Sequence, residues 1–269
     1  YAGIVGCYNG FLAYGKKFGI YDLKRANECT DRNEMEKEYD KINLPGIKIL
    51  ITGGGRVAKG AMEVLNGVGI KKVTKEEYLS VTYSEPVYVQ IFSGDYNKRR
   101  SGGVFDKNEF YQNPELYESD FMKWAGITDL FISCHYWESG APFLYTRKDA
   151  RSSDFKIKVV ADISCDIDGP VASTIRPSTI ADPVYGYDPI TEEEVDFMQE
   201  HAIAVMAVDN LPCELPKDAS EDFGRELIEH ILPAIAGNDP DHIIERATIA
   251  KNGQLTAEYS YLKGYVNGK

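Results

Sequence analysis

The sequence has no surplus of positive charge. Its 269 residues include 42 acidic and 30 basic side chains, a formal net charge of −12 at pH 7, and no basic patch is interleaved with aromatic residues. Nucleic acids and anionic membrane surfaces bind such patches, so we expect neither as a partner. The expected partners are small molecules.

Long apolar runs are also missing. No stretch approaches the roughly 20 apolar residues that a membrane-spanning helix needs, and no signal peptide can be recognised at the start. We therefore expect a soluble, cytoplasmic protein; a homo-oligomer is allowed, since nothing in the sequence fixes the oligomeric state. The chain starts at Tyr1, directly before a helix predicted over residues 4–17, so we also expect that an upstream part of a longer protein is absent.

Cysteine and histidine are few and scattered. The five cysteines form no Cys-x-x-Cys pair, and the four histidines have no metal-ligand spacing to one another or to a cysteine. The pattern indicates neither a disulfide framework nor a zinc site, and we expect no metal. Free thiols packed as small hydrophobic side chains are the favoured interpretation.

What the chain does contain is a glycine turn between a strand and a helix. A short β-branched run over 47–51 precedes residues 53–58, which read Gly-Gly-Gly-Arg-Val-Ala, and apolar residues then recur at helical spacing to residue 68. These residues fit the pattern Gly-x-Gly-x-x-Ala. In a dinucleotide-binding turn, the first glycine of the pattern, here Gly53, makes the tight turn, and the second, here Gly55, lets the backbone approach a pyrophosphate. A small residue in the third position lets helix and strand pack closely. The pattern predicts a phosphate at this helix N-terminus.

Strands and helices alternate along the rest of the chain. Further strands are predicted over 70–73, 130–134, 157–163 and 202–208, an amphipathic helix over 220–236, and a long irregular excursion over 92–121. Alternation of this kind, with right-handed crossovers, predicts an α/β fold: a Rossmann-like, doubly wound parallel sheet with flanking helices.

This organisation divides the chain into three parts. We expect a leading helix and connector to the absent first domain over 1–45, the dinucleotide-binding domain over 46–240, and a C-terminal segment over 241–269.

Ligands of such sheets bind outside the carboxyl ends of the strands, and this rule selects candidate residues. Asp162, Ser164 and Asp166 follow one predicted strand, where they are candidates to orient a cationic amine substrate. An equally weighted alternative is that Asp166 and Asp168 cap an ordinary turn.

The strand over 202–208 is followed by Asp209, Asn210, Leu211 and Pro212. We expect Asp209 or the adjacent backbone to face the nicotinamide, with simple turn chemistry as the alternative. Asp209 is the one catalytic candidate of this chain.

His135 is the only histidine at a predicted strand end. It is a candidate proton donor, but a packed, hydrogen-bonded histidine is the favoured interpretation. Cys134 and Cys165 are interpreted as structural rather than nucleophilic, because hydride chemistry needs no nucleophile. As a strand-end residue, Cys134 is also assigned to cofactor binding.

The choice between NAD and NADP depends on the end of the second strand, where NAD sites place an acid about 20 residues past the glycine turn. Val73, Thr74 and Lys75 occupy that zone, with Lys71 and Lys72 just before them. A hydroxyl and lysines suit a 2′-phosphate, which favours NADP and assigns Thr74 and Lys75 to the cofactor. NAD stays open, because the lysines are equally typical of a solvated edge.

Several motifs resemble those of the lysine-ketoglutarate reductase and saccharopine dehydrogenase family, especially the reductase half of aminoadipic semialdehyde synthase. They lie at residues 105–117, 136–138 (Tyr-Trp-Glu), 144–150, 161–166, 208–212 (Val-Asp-Asn-Leu-Pro), 215–221 and 249–253. The resemblance extends from residue 2 to about residue 265, with a more distant similarity to alanine dehydrogenase and the transhydrogenase subunit.

The resemblance implies a reaction. The ε-amine of lysine condenses with 2-oxoglutarate, and the imine takes hydride from NADPH to give saccharopine, or the reverse occurs with NAD. It also implies two Rossmann-like domains whose acid-base lysine and histidine belong to the first. That domain is not in this sequence, so no residue here is assigned those roles, and we expect the isolated chain to bind nucleotide with little or no turnover.

By motif match, the resemblance implies that the pyrophosphate is held by Gly53, Gly55, Arg56, Val57 and Ala58, and that Asp209 to Pro212 line the nicotinamide. The anionic 2-oxoglutarate needs a cation, for which Arg56, Arg147 and Arg176 are the candidates unless the absent domain provides it. Two alternatives stay open: a non-catalytic dinucleotide-binding or assembly module, and an alanine dehydrogenase-like oxidoreductase.

Overall fold

The computed structural model describes residues 1–268. The chain forms two compact units, Tyr1–Pro216 and a second that begins at Lys217, whereas the sequence places the boundary at 240/241. The final residue of the expected 241–269 segment lies outside the described residues.

The strands are β1 (Lys48–Thr52), β2 (Lys71–Lys72), β3 (Val87–Ile91), β4 (Asn97–Arg99), β5 (Tyr117–Ser119), β6 (Leu130–Ser133), β7 (Val159–Asp162), β8 (Val184–Tyr187), β9 (Glu194–Val195), β10 (Ile203–Met206), β11 (Ala250–Lys251) and β12 (Gln254–Leu255). The helices are α1 (Ala2–Phe18), α2 (Arg32–Glu36), α3 (Arg56–Val68), α4 (Lys75–Ser80), α5 (Ser93–Tyr96), α6 (Lys107–Gln112), α7 (Met122–Ala125), α8 (Arg147–Ala150), α9 (Pro216–Glu226), α10 (Leu232–Ile235), α11 (Ile243–Ala247) and α12 (Lys263–Val266).

An eight-stranded sheet in the order β2-β3-β1-β6-β7-β10-β8-β9 forms the centre of the first unit. The six strands from β2 to β10 run parallel, and β8 and β9 add an antiparallel edge. The parallel part confirms the predicted Rossmann-like fold. The antiparallel edge is absent from the sequence prediction.

The sheet order corrects one prediction. The strand expected at 70–73 forms only as β2, two exposed residues at the sheet edge. The strand between β2 and β1 is β3, which was not predicted from the sequence. Thr52 of β1 lies opposite Ile91 of β3. Compared with the usual order 3-2-1-4-5-6, the second and third strands have exchanged places. The strand end relevant to the cofactor ribose is therefore that of β3.

Helices cover both faces of the sheet. The predicted helix at 4–17 is confirmed as α1, which is buried along most of its length and packs against α3 and the strands β7 and β10. Its small residues explain the close packing: a β-carbon on Gly3 would lie 1.9 Å from the carbonyl oxygen of Val57 in α3. The opposite face buries an aromatic core that includes Phe131 and Trp124.

In the second unit, the predicted helix at 220–236 is present as α9 and α10, joined by a π-helical turn over Leu227–Ile231. The turn precedes Pro233, whose missing N–H prevents a regular α-helical hydrogen bond. Phe223 and Ile235, from the expected apolar face, are exposed. No helix within residues 1–268 is both long and apolar enough to cross a membrane.

Candidate dinucleotide-binding site

A cavity of about 1030 Å³ opens at the carboxyl edge of the parallel strands. Its lining includes the glycine turn (53–57), residues 92–97 after β3, and residues from the excursion and from the ends of β6 and β7. The cavity lies where doubly wound sheets bind their ligands, and it reaches the upper end of the usual size range of ligand pockets.

The two key glycines of the turn differ in their surroundings. Gly53 has φ +91°, and a β-carbon there would lie 2.5 Å from the carbonyl oxygen of Cys134, so the fold itself requires glycine. Gly55 immediately precedes α3 with φ −80°, and a β-carbon there would meet no atom within 4 Å. Ala58 is fully buried, as close packing of helix and strand requires. The fold does not need glycine at position 55, but a ligand approaching the backbone would.

At the end of β3, Ile91 is followed by Phe92 and Ser93 rather than by an acid. The nearest acid is Asp95, whose carboxylate accepts a hydrogen bond from the backbone N–H of Phe92 at 2.8 Å. The same carboxylate forms an ion pair with Lys75, with Nζ and Oδ1 2.6 Å apart. Ser93, Asp95 and Lys75 all line the cavity.

The other residues predicted to contact the ribose lie elsewhere. The Thr74 hydroxyl accepts a hydrogen bond from the Glu77 N–H at the start of α4, and Thr74 is outside the cavity lining. Lys72 donates to the Gln90 side chain at 3.0 Å, and Lys71 and Lys72 are exposed on the edge strand. Of the predicted basic cluster, only Lys75 reaches the cavity.

The end of β6 presents His135 at the cavity. Its Nδ1 lies 2.9 Å from the Thr52 hydroxyl and 3.3 Å from that of Ser133, while Nε2 has no hydrogen-bond partner within the described residues. Burial lowers the pKa of His135 to about 4. The imidazole is therefore neutral at physiological pH, as the favoured interpretation of a packed histidine requires.

The two cysteines near the cavity are not poised as nucleophiles. Cys134 is buried beside Gly53, and burial raises its pKa. Burial also raises the pKa of Cys165 to about 12. Both thiols stay protonated at neutral pH, which supports the structural interpretation, although Cys134 also lines the cavity.

The three residues predicted after β7 separate into two groups. Ser164 and Asp166 line the cavity, and burial raises the pKa of Asp166. Asp162 is only 1% exposed; its carboxylate accepts hydrogen bonds from the Thr174 hydroxyl at 2.6 Å and from the Cys165 N–H at 3.2 Å. Burial raises the pKa of Asp162 to about 6. Asp162 therefore holds the turn from within the core, while Ser164 and Asp166 are available to a ligand.

The residues predicted after β10 are not brought to the cavity. Asp209 and Asn210 are exposed, Leu211 is buried in the apolar core, and none of these residues or Pro212 belongs to the lining. They follow the next strand beyond β7.

Only one of the three candidate arginines lines the cavity. Arg147 pairs with Asp168 and Glu192, and Arg176 pairs with Glu194, all outside the lining. Arg56, the first residue of α3, lines the cavity and forms no ion pair with the described residues.

Sequence reasoning missed the residues that the excursion contributes. Phe105, Lys107, Phe110, Tyr111 and Pro114 line the cavity together with Phe92. The sequence did contain a signal for an ordered segment: aromatic residues cluster between 92 and 117 in an otherwise polar stretch, and disordered loops contain few aromatic side chains.

The sheet order, the glycine turn and the cavity at the strand ends define a Rossmann-like dinucleotide-binding fold. No family model matches the chain. It is 30% identical over 247 residues to the alpha-aminoadipic semialdehyde synthase of Mus musculus, named as mitochondrial, a match that covers 81% of this chain and 27% of that protein.

The alpha-aminoadipic semialdehyde synthase of Arabidopsis thaliana is 25% identical, with 96% of this chain and 27% of that protein covered. The lysine-forming, NAD⁺-dependent saccharopine dehydrogenase of Schizosaccharomyces pombe is 26% identical, with 69% of this chain and 40% of that protein covered. A solved L-alanine dehydrogenase matches 99% of this chain and 62% of its own, with a TM-score of 0.49 and 14% identity. The chain is homologous to aminoadipic semialdehyde synthases and to a saccharopine dehydrogenase over most of its length, and it spans about a quarter of the length of the synthases.

Proposed function

We propose that this chain is the cofactor-binding part of a saccharopine-forming reductase, an NAD(P)-dependent oxidoreductase that acts on a CH–NH bond in lysine metabolism. The observation that carries the proposal is Gly55, which borders open space in the cavity although the fold does not require glycine there. Saccharopine and lysine are taken from the name of the Schizosaccharomyces pombe relative, and 2-oxoglutarate from the family resemblance.

The residues of the glycine turn fit a dinucleotide. Gly53 sets the turn, Gly55 leaves the backbone open to a pyrophosphate, and the first-turn amides of α3 together with the Arg56 guanidinium offer positive charge to it. The bound cofactor would supply the hydride, and the protein supplies binding, orientation and electrostatics.

The remaining lining residues would position the substrate. Asp166, with Ser164 beside it, suits the cationic amine of lysine. His135 is neutral and held through Nδ1, so its role is to accept or donate a hydrogen bond rather than to deliver a proton as an imidazolium. We assign no acid-base pair to this chain.

We propose NADP as the cofactor because Ser93 and Lys75, not a free acid, stand at the end of β3. Asp95 pairs with Lys75 and partly neutralises its charge. Lys75 therefore favours the 2′-phosphate of NADP, and Asp95 favours the 2′-hydroxyl of NAD. Lys75→Ala should lower the ratio of NADPH to NADH affinity, and Asp95→Asn should raise it, each by several-fold. Fluorescence titrations of both variants measure the ratio; an unchanged ratio in both would contradict this assignment.

Titration of the chain with NADPH and NADH tests the cofactor, and NADPH oxidation tests the reaction. We expect oxidation to require lysine and 2-oxoglutarate together. Oxidation with pyruvate and ammonia instead would favour the alanine dehydrogenase-like alternative, and binding of neither dinucleotide would favour an assembly module. The cellular location stays a prediction: the sequence predicts the cytoplasm, whereas the Mus musculus relative is named as mitochondrial.

A further inference from the structure

Residues 97–119 form a small arm at the carboxyl edge of the sheet, which we term the aromatic arm. It contains the antiparallel pair β4 and β5 with α6 between them. The arm belongs to the connection from β3 to β6, and these two strands flank β1. Because this connection leaves the carboxyl end of β3 and passes from one side of β1 to the other, the arm borders the glycine turn that follows β1.

The aromatic arm is held in place by specific contacts. The Phe105 ring packs so closely on α5 that a β-carbon on Gly94 would lie 2.8 Å from it. The N–H of Asp120, just past the arm, donates to the carbonyl oxygen of Tyr96 in α5 at 2.8 Å. The arm is therefore anchored to the segment that directly follows β3.

The arm also has a core of its own. Phe105, Phe110 and Tyr117 have ring centroids 5.2–5.3 Å apart. Glu109 accepts hydrogen bonds from Arg99 at 2.7 Å and from the Tyr117 hydroxyl at 2.5 Å. These contacts fix the backbone of α6 and, with it, the positions of the side chains that face the cavity.

Three large aromatic side chains of the cavity lining are substantially exposed. Tyr111 of α6 is 48% exposed, Phe92, after β3, is 47% exposed, and Tyr136, after β6, is 79% exposed. The Lys107 ammonium lies 5.9 Å from the centroid of the Tyr111 ring. Exposed planar rings beside a cation form a surface suited to a flat, electron-rich heterocycle.

The position of the arm selects which half of a dinucleotide meets these rings. With the pyrophosphate at the turn after β1, the adenosine ribose lies at the end of the neighbouring strand, here β3, and the nicotinamide lies toward β6 and β7. The arm is anchored beside the end of β3. We propose that the aromatic arm is the adenine-binding wall of the site, with Tyr111 as the ring on which the base stacks; this proposal rests on the dinucleotide function proposed above.

Calorimetric titration of Tyr111→Ala with NADPH, ADP-ribose and reduced nicotinamide mononucleotide tests the proposal. We expect NADPH and ADP-ribose to bind about tenfold more weakly or worse, since base stacking on an aromatic ring is lost, and the mononucleotide to bind as it does to the wild type. Tyr111→Phe should retain the affinity, and Tyr261→Ala, which removes an exposed tyrosine of the second unit, should have no effect.

The outcomes separate the two proposals. Wild-type binding of NADPH with unchanged ADP-ribose affinity in Tyr111→Ala would overturn the adenine wall and leave the dinucleotide function standing. An equal loss of mononucleotide affinity would also overturn it, by placing Tyr111 at the nicotinamide end. If the wild type binds no dinucleotide, the proposed function fails as well. Because Tyr111 is half exposed, an unchanged thermal unfolding midpoint verifies that the variant is folded.

Discussion

Gly53 and Gly55 are separated by one residue, but the fold requires glycine only at position 53. A side chain at Gly53 would strain the backbone and press on the Cys134 carbonyl, whereas a side chain at Gly55 would extend into the cavity. Sequence reasoning identified both positions, but it does not separate a glycine needed for folding from one needed for a ligand. That distinction depends on which atoms surround each α-carbon.

The contrast predicts different stabilities for two matched variants. Gly53→Ala should lower the free energy of unfolding by about 3 kcal/mol or more, because the positive φ and the close contact both oppose a β-carbon. Gly55→Ala should leave it unchanged or raise it by at most about 1 kcal/mol. Urea unfolding measures both, and equal destabilisation would contradict the assignment of Gly55 to a ligand.

His135 and Asp162 impose opposite pH dependences on stability. The pKa of His135 is lowered from 6.5 to about 4, so the folded state binds fewer protons and His135 destabilises the fold as the pH falls between these values. The pKa of Asp162 is raised from 3.8 to about 6, so the folded state binds more protons there than the unfolded state. Its contribution to the stability of the fold is therefore present at low pH and is lost as the pH rises through about 6. The two contributions oppose each other between about pH 4 and pH 6.

Replacing His135 should reveal its contribution to the pH dependence of stability. The stability advantage of the wild type over His135→Gln should fall by about 1.4 kcal/mol per pH unit between roughly pH 6 and pH 4.5. Urea unfolding at several pH values gives this difference. A flat difference for His135→Gln would mean that its imidazole is not held neutral.

The sequence predicted several helices and strands of the first unit, but not the order of the strands in the sheet. α1, β1, α3, β6, β7 and β10 all follow from apolar periodicity and glycine positions, but β3 did not, although residues 87–91 read Val-Tyr-Val-Gln-Ile. The usual spacing rule pointed to residues 73–75, while the sheet places a later strand beside β1. Strand order depends on tertiary packing, so the neighbour of β1 is not contained in local sequence.

The packing of α1 against α3 leaves no room for an added β-carbon at Gly3. Gly3→Ala should lower the free energy of unfolding by about 3 kcal/mol, because its β-carbon would overlap the Val57 carbonyl and force the helices apart. Gly224→Ala is the matched helical control, since its β-carbon meets nothing within 4 Å, and it should be neutral or stabilising by up to about 1 kcal/mol. Similar losses in both variants would show that α1 does not pack on α3 in this way.

At the scale of the whole molecule, the strand-end rule located the cavity but not all of its lining. Lys75, Cys134, Ser164 and Asp166 line the cavity, whereas Asp162 is buried in the core. Thr74 and residues 209–212 also fall outside the lining. Whether a strand-end side chain faces the cavity depends on the first turn after the strand, which periodicity does not describe.

The net charge of −12 leaves few cations for an anionic cofactor, and Arg56 is the one cavity arginine without an ion pair in the described part of the chain. We therefore propose that the pyrophosphate binds at the glycine turn, beside Arg56 and the open space in front of Gly55. Calorimetric titration of the wild type and Gly55→Val with NADPH tests this proposal. We predict one saturable site in the wild type and at least about tenfold weaker binding in the variant, which is about 1.4 kcal/mol, with both proteins folded. Equal affinity of the two proteins, or no binding by the wild type, would contradict pyrophosphate binding at this turn.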